Sequence, residues 1–362
     1  MNNISKTVVK VICIIVVLLC IVYAVVKFYD NSKNKEGVFK DTTGIGIEDA
    51  SIELGSINVH NAWVGTFNLA WNEFMDNVIG GPIEFVDGKS SIAEALNKQN
   101  FTRNMLSDNS YYIETGNLNY SLRDKIEDNL KDKFNTESEV LDNIEWNNKE
   151  NEYLIYAMLN KNFTFETPFP KLVDTFGDSS EKFNFFGLVA STENKTFEQV
   201  TVLFYNSASD FAVKIDTKEG EELILYRTDS VIRFDKSYNE IVKKTNSYTG
   251  RREMIREKDE LKVPFINLET NINYDELCNR VIKGTNGAYI KQAVQTIKFG
   301  LDNYGGNIKS EAIIYTLMCM SMEEPRYFYF DDNFVLYLKE KAKDKPYFAL
   351  KVDNTDVLVE SL

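Results

Sequence analysis

The chain has 362 residues, 43% of them hydrophobic and 27% charged, which is enough for one large globular domain or two ordinary ones. Its formal net charge of -14 argues against a nucleic-acid partner, because phosphate binding needs concentrated lysine and arginine and the sequence offers no basic face. We interpret the acidity as a contribution to solubility. The 24 phenylalanines and 19 tyrosines predict a large aromatic core.

Residues that could carry chemistry are few. His60 is the single histidine, and because the run around it matches no catalytic motif, we expect a packed or surface role. Cys13 and Cys20 lie in an apolar N-terminal segment, which leaves Cys278 and Cys319 as one conceivable disulfide. We find no metal-ligand spacing, phosphate loop or nucleophile elbow, so we predict neither a metal nor a cofactor. An enzyme is the least favoured class, although the 55 Asp and Glu residues leave an acid–base pair open.

The first element is an unbroken apolar run from Val11 to Val26, flanked by lysines. With its flanks, at residues 7–28, it is long enough for a helix across a hydrocarbon core of about 30 Å. A cleaved signal peptide is the alternative, but no small-x-small cleavage pattern follows. A lipoprotein box at Cys20 is only faintly matched, since Leu19 is bulky where a small residue is needed. We therefore predict an uncleaved signal-anchor and a single-pass transmembrane protein.

Two indications of the anchor's orientation disagree. The tail of residues 1–6 is short, and such tails normally stay in the cytoplasm. By contrast, Lys33, Lys35 and Lys40 make the C-terminal flank more basic. Following the short tail, we expect the large domain to be extracytoplasmic. Residues 29–56 are polar and contain glycine, which indicates a linker, and the folded domain is expected at 57–362.

Helices are predicted first in the folded part. Trp63 to Phe74 carries aromatic residues at three- and four-residue spacing, typical of a helix with one buried face. Two further helices are predicted at Ser91 to Leu106 and at Asn119 to Phe134. Tyr153 to Phe169 starts with a continuous apolar run, which indicates a strand buried on both faces.

Strands dominate the second half. Runs between Gln199 and Ser230 are spaced as antiparallel hairpins. The elements predicted after them are a helix in Phe234 to Met254, a strand at Leu261 to Ile266, a short helix at Tyr274 to Val281, a strand at Ala293 to Leu301 and a closing hairpin of Phe328 to Leu338 with Tyr347 to Val352. This order predicts an α+β fold with N-terminal helices and large, mostly antiparallel sheets, preceded by one transmembrane helix.

Between the strand at Ala293 to Leu301 and the closing hairpin lies an unusual connection. Gly305 and Gly306 break the alternating pattern of the strand. The residues from Ala312 to Met320 are then almost entirely apolar, whereas ordinary loops are polar and rich in turn residues. Such a run is either a strand already in a sheet or a segment able to enter one.

These residues resemble the C-terminal third of a serpin. Gln295 to Phe299 is similar to that family's long central strand, and Ser310, Glu311 and Ala312 to the Thr-Glu-Ala of its hinge. The closing strands resemble its Phe-x-x-Pro-Phe strand, with Asn333 where proline is usual, and its final Phe-Met-Gly-Arg-Val strand. Weaker similarities extend upstream, and the resemblance covers about residues 63–352 with only the last sixty moderately specific.

The resemblance implies a reactive-centre loop at about residues 307–327, with Gly305, Gly306, Ser310, Glu311 and Ala312 as hinge residues. If Gly306 is the hinge glycine, Met320 and Ser321 flank the scissile bond. In an inhibitory serpin the cleaved loop enters the central sheet as a new strand and carries the protease with it.

The predicted hinge departs from what rapid insertion requires, because each alternate side chain must enter a packed sheet. In one register Ile313, Ile314 and Tyr315 stand where small residues are expected, and in the other Lys309 and Glu311 do. We therefore expect a weak or non-inhibitory family member, with a protease as partner. The alternative is a membrane-tethered extracytoplasmic binding or scaffold domain without protease-bait chemistry.

Overall fold

The computed structural model describes residues 62–190, 192–228, 233–250, 255–306 and 324–361, all of which lie in one compact unit. These residues form five α-helices: Thr66–Glu73 (α1), Ser91–Leu96 (α2), Tyr120–Phe134 (α3), Asn194–Glu198 (α4) and Phe234–Ser247 (α5). A π-helical stretch, Phe74–Ile79, continues α1, and 3-10 turns lie at Arg103–Met105, Asp108–Ser110, Glu139–Asn143 and Asp275–Leu277.

The same residues form sixteen strands. In chain order they are Ala62–Val64 (β1), Tyr111–Asn117 (β2), Glu152–Leu159 (β3), Phe163–Thr164 (β4), Lys171–Asp174 (β5), Phe183–Leu188 (β6), Val200–Ser207 (β7), Asp210–Asp216 (β8), Glu221–Arg227 (β9), Glu260–Pro264 (β10), Ile266–Asn273 (β11), Tyr289–Leu301 (β12), Gly305–Gly306 (β13), Tyr327–Tyr329 (β14), Phe334–Glu340 (β15) and Phe348–Val352 (β16).

Three sheets organise these strands. Sheet A has the order β11-β12-β3-β2, in which β12 and β3 are parallel and the outer pairs are antiparallel. Sheet B has the order β1-β16-β15-β9-β8-β7 and is antiparallel throughout. Sheet C has the order β14-β10-β6-β5, with β14 parallel to β10. The short strands β13 and β4 form a separate antiparallel pair.

Two apolar cores hold the sheets together. The larger one contains α1 and one face of each sheet, and the smaller one lies between the other face of sheet A and α3. Helix α3 begins where the Asn119 side chain accepts a hydrogen bond from the Leu122 amide at 2.8 Å, an ordinary N-cap. Its buried stripe of Leu122, Ile126 and Leu130 packs against sheet A, as the helical spacing predicts.

Several predicted elements are confirmed. Helix α3, the three hairpin strands β7 to β9 and the strand over Ala293 to Leu301 all form. The closing hairpin forms from Phe334 onward as β15 and β16, whereas Phe328, predicted in the same strand, lies in β14 of sheet C. The stretch from Tyr153 to Phe169 is a strand only to Leu159 and then continues as a connection with the short strand β4. The helix predicted from Phe234 ends at Ser247, and the one at Tyr274 to Val281 is a single 3-10 turn.

Two helix predictions were wrong in their extent. Trp63 lies in β1 rather than in the first helix, because Ala62–Val64 pairs with β16 and the helix begins only at Thr66. The helix expected from Ser91 to Leu106 ends at Leu96. There the Asn97 side chain bonds the backbone of Ile83 through both its oxygen and its nitrogen, a tertiary contact invisible to local periodicity.

The predicted anchor at residues 7–28, its flanking tail and linker, and His60 lie outside the described residues. Within the described ranges, no helix is long and apolar enough to cross a membrane.

Candidate functional site

The predicted hinge begins in a tight turn at the end of β12, which we call the N-terminal stem (Asp302–Gly306). The Asp302 amide donates to the Gly305 carbonyl at 2.8 Å, and the Asp302 carboxylate accepts from the Tyr304 amide at 2.7 Å. Burial raises the pKa of Asp302, although the backbone hydrogen bonds oppose that rise. The stem therefore turns out of sheet A and comes to lie beside β4.

Gly305 and Gly306 are required by this close approach. Gly305 has a φ of +133°, and a Cβ built on it would lie 2.4 Å from the carbonyl oxygen of Phe163. A Cβ on Gly306 would lie 2.8 Å from the Phe163 ring. Both glycines are buried and paired with β4, so the predicted break in the strand pattern is a packed stem.

A second stem, Arg326–Phe330, contains β14, and we call it the C-terminal stem. The Arg326 guanidinium bonds the buried carboxylate of Asp259 at 2.7 Å, and the Arg326 amide donates to the same carboxylate at 2.8 Å. Burial of Asp259 favours its neutral form, but these hydrogen bonds outweigh burial and hold the pKa of Asp259 below its usual value. Charge-assisted bonds of this kind fix the start of the stem.

Aromatic packing fixes the rest of the C-terminal stem. β14 continues sheet C by pairing in parallel with β10. The rings of Phe328 and Phe330 are fully buried, with centroids 5.3 and 5.0 Å from that of Phe211 in sheet B. Tyr205 also packs edge-on against Phe328 at 5.0 Å.

Between the two stems run residues 307–323, which lie outside the described residues. They include the predicted hinge residues Ser310, Glu311 and Ala312, the scissile candidates Met320 and Ser321, and Cys319. Of the predicted site residues, the structure describes Gly305 and Gly306 and places them together against β4.

The centre of sheet A is the place that an inserted strand would have to enter. Here β12 pairs directly with β3 from Tyr289 with Glu152 up to Thr296 with Met158. Among the described residues, the pairing of β12 with β3 ends at Thr296 and Met158. Beyond that point β12 continues to Leu301 and is paired on its other edge with β11. We call the unpaired part beyond Thr296 and Met158 the sheet A gap.

A buried glutamine, Gln295, connects the paired part of sheet A to the helix packed against it. The Gln295 side chain is fully buried, donates to the Val64 carbonyl at 3.2 Å and to the Thr66 hydroxyl at 2.7 Å, and accepts from the Tyr274 hydroxyl at 2.9 Å. These bonds tie β12 to the start of α1. Such a fully satisfied buried amide specifies one arrangement of the core.

Sequence reasoning missed Asp259 and Arg326, which are 67 residues apart and belong to no local motif. Cys278, considered as a partner of Cys319, carries a free thiol whose pKa burial raises to about 11. A thiol with so high a pKa is a poor nucleophile.

Among the grooves that the described residues line are two of moderate volume. One of about 330 Å³ is lined by Cys278, Lys291 and Gln292 among others, and one of about 500 Å³ lies between the end of α3 and the β3–β4 connection. Across the ranges the structure describes, no three His, Cys, Asp or Glu side chains are grouped so as to hold a metal.

Comparison with protein-family models and with curated proteins finds no match to this sequence. Solved structures do match. The fold is similar to that of native tengpin, a thermophilic serpin, with a TM-score of 0.52 and 13% identity over 85% of this chain and 90% of that one. It is similar to mouse protein-Z dependent protease inhibitor, with a TM-score of 0.50 and 12% identity over 82% and 91% of the two chains. Human thyroxine-binding globulin in complex with thyroxine also matches, with a TM-score of 0.50 and 11% identity over 83% and 92%.

Identities of 11–13% show the fold alone. The protein therefore has the serpin-like α+β fold, with helices packed against several sheets, over most of its length. The serpin resemblance of the C-terminal strands is confirmed at this level.

Proposed function

We propose that the protein is a membrane-tethered, serpin-like protein that presents residues 307–327 to a protease and acts as a weak or non-inhibitory member of that class. In this proposal residues 7–28 anchor the chain, 29–56 link it to the membrane, and 57–362 form an extracytoplasmic domain without catalytic activity of its own. The observation that carries it is the pair of independent stems. Gly305 and Gly306 are bound to β4, and Arg326 is bound to Asp259, so both ends of the intervening segment are fixed to the folded domain.

A protease is the proposed partner because the fold matches that of a protein-Z dependent protease inhibitor. The 307–323 segment offers an apolar run between two fixed ends, which suits a bait for a protease cleft. Neither nucleic acid nor a cofactor is part of the proposal.

The weak or absent inhibition follows from what insertion would cost. A strand entering sheet A must separate β3 from β12 along their seven paired positions from Tyr289 to Thr296. It must also bury Lys309 or Glu311, which costs several kcal/mol if the charge is unpaired. In the other register Ile313, Ile314 and Tyr315 enter instead, and overpacking costs about 1–3 kcal/mol for each. These penalties oppose the free energy gained by adding a strand.

Cleavage of the loop tests this proposal. Cutting the chain between Thr316 and Glu324 and then measuring thermal unfolding should change the melting temperature little. A matched variant in which Lys309, Glu311, Ile313, Ile314 and Tyr315 are replaced by Ala, Ser or Thr should gain much more on cleavage, because its side chains fit a packed sheet. A large gain for the parent chain, or a covalent protease complex that survives denaturing gel electrophoresis, would overturn the weak-inhibitor proposal.

A second candidate is a binding or scaffold domain without bait chemistry. It is favoured by the match to thyroxine-binding globulin, a structure solved with a bound ligand, and by the groove of about 500 Å³ beside the β3–β4 connection. Resistance of the 307–323 segment to every protease tried, with the fold intact, would favour this candidate over the first.

A further inference from the structure

A buried ion cluster joins sheet A to sheet B close to the N-terminal stem. The Lys161 ammonium lies 2.7 Å from a Glu221 oxygen, 3.0 Å from a Glu340 oxygen and 2.8 Å from the Ser110 hydroxyl. Only 14% of the Lys161 side chain is exposed, against 1% for Glu221 and 9% for Glu340. The three donors of the ammonium thus match three buried acceptors. We call Lys161, Glu221 and Glu340 the Lys161 cluster.

The remaining carboxylate oxygens of the cluster are also bonded. The second oxygen of Glu221 accepts from the Tyr347 hydroxyl at 2.8 Å, and that of Glu340 from the Ser107 hydroxyl at 2.7 Å. Of the cations in the described ranges, Lys161 alone forms an ion pair with either carboxylate. Removing its charge therefore leaves two buried carboxylates without a counter-ion, a situation that destabilises proteins strongly.

The position of Lys161 in the chain places the cluster next to the strand that contacts the N-terminal stem. Lys161 lies in the connection between β3 and β4, two residues before Phe163, whose ring covers Gly306. The Phe165 amide donates to the Tyr304 carbonyl of the N-terminal stem at 2.8 Å. Glu221 begins β9 and Glu340 ends β15, so Lys161 fixes this connection to two central strands of sheet B.

The other edge of β4 is bound to sheet B as well. The Lys218 amide donates to the Thr164 carbonyl at 2.9 Å, and the Glu219 carboxylate accepts from both the amide and the hydroxyl of Thr164 at 2.7 Å. β4 is therefore held between the turn that joins β8 to β9 and the N-terminal stem. The position of β4 is therefore set by the β8–β9 turn of sheet B along one edge and by the Lys161 cluster just before its first residue.

We propose that Lys161 is a positioning residue for the N-terminal stem: by tying the β3–β4 connection to Glu221 and Glu340, it fixes β4, and through β4 the stem, beside the sheet A gap. Lys161 touches neither glycine of the stem, so it acts through Phe163 and Phe165. The inference rests on the proposed function only where it treats residues 307–327 as the segment presented to a protease. Its structural part, control of the stem by a distant lysine, stands independently of any protease.

The test compares amide hydrogen exchange in the full chain and in the variant Lys161→Met, which keeps the length of the side chain and removes the charge. Exchange at Phe165 and over residues 302–306 should become about tenfold faster or more, while the pairing of Tyr289 to Thr296 with β3 keeps its protection. Lys161→Arg, which retains a cation, should restore most of the protection. Lys149→Met is the matched control, since Lys149 pairs with the buried Glu152 at the opposite end of β3 at 2.8 Å.

Unchanged exchange at the stem, or an equal loss of protection throughout sheet A, would overturn the proposal. If Lys161→Met does not fold, the triple variant Lys161→Met, Glu221→Gln, Glu340→Gln removes the unpaired carboxylates too and is compared in the same way. Protease cleavage of the 307–323 segment is followed in parallel and should change in rate with Lys161→Met and not with Lys149→Met. A segment that no protease cuts would refute the proposed function, while the exchange pattern would still decide the role of Lys161.

Discussion

At the scale of single residues, Gly305 and Gly88 distinguish two requirements that glycine can meet, an unusual backbone angle and a lack of space for a side chain. Their φ angles are +133° and +136°, but a Cβ on Gly305 would meet backbone atoms of Phe163 and Thr164, whereas one on Gly88 would meet nothing within 4 Å. At both positions alanine must adopt a φ that L side chains rarely adopt, which costs about 1–3 kcal/mol. We expect Gly305→Ala to cost about 1–3 kcal/mol more than Gly88→Ala in urea unfolding, because only Gly305 is overpacked. Equal losses of unfolding free energy for the two variants would mean that the N-terminal stem shifts to make room for the added Cβ.

Glu152 links stability to pH at the same scale. It is buried, and hydrogen bonds from Lys149, Tyr289 and Asn147 lower its pKa to about 2 against the opposing effect of burial. Because the folded value lies below the unfolded one of about 4.3, the stabilisation is complete above that pH and is lost as the pH falls toward 2.

The variant Glu152→Gln should therefore lose less unfolding free energy than the parent chain between pH 5 and pH 3. Glu150→Gln, which removes a carboxylate at an exposed position two residues away, serves as the control. Chemical denaturation at each pH measures both. If the unfolding free energy falls equally with pH in Glu152→Gln and in the parent chain, Glu152 is not the group responsible for the pH dependence.

At the scale of elements, the closing hairpin is coupled to the long strand of sheet A. Phe348 in β16 is fully buried, and its ring centroid lies 4.8 Å from that of Phe299 in β12. Phe348→Ala should cost about 3–5 kcal/mol, against less than about 0.5 kcal/mol for Val173→Ala, whose side chain is exposed. A double-mutant cycle of Phe299 and Phe348 should give a coupling of about 0.5–1.5 kcal/mol. No measurable coupling would mean that the contact between the Phe299 and Phe348 rings adds nothing to stability.

Elements with strong periodicity were predictable, and those decided by distant contacts were not. The stripe of Ile126 and its neighbours marks the one buried face of α3, and that helix forms as predicted. The strand over Ala293 to Leu301 also forms, but Ala293 to Ile297 are buried on both faces because sheet A lies between the two apolar cores. Trp63 has helical spacing to Phe67, but strand pairing with sheet B overrides it. Pairings between distant parts of the chain, such as Asp259 with Arg326, leave no local trace, so local patterns could not reveal the bonds that hold the C-terminal stem.

At the scale of the whole molecule, the unbroken apolar run from Val11 to Val26 predicts an integral protein. Alkaline carbonate extraction should leave the full chain in the membrane pellet, whereas a variant lacking residues 1–28 should appear in the supernatant. Protease added to intact cells should remove the large domain if it faces outward. Release of the full chain by carbonate would contradict the anchor, and complete protection from the protease would contradict the orientation.

The parallel pair at the centre of sheet A also constrains how the chain is made. Glu152 and Tyr289 face each other across that pair but are 137 residues apart in the chain. At a synthesis rate of about 5–20 residues per second, β12 leaves the ribosome roughly 7–30 s after β3. During that interval the apolar β3 has one free edge, and such an edge can pair with the same strand of a neighbouring nascent chain. Rapid synthesis should therefore favour aggregation, and slower translation or lower temperature should raise the yield of native protein.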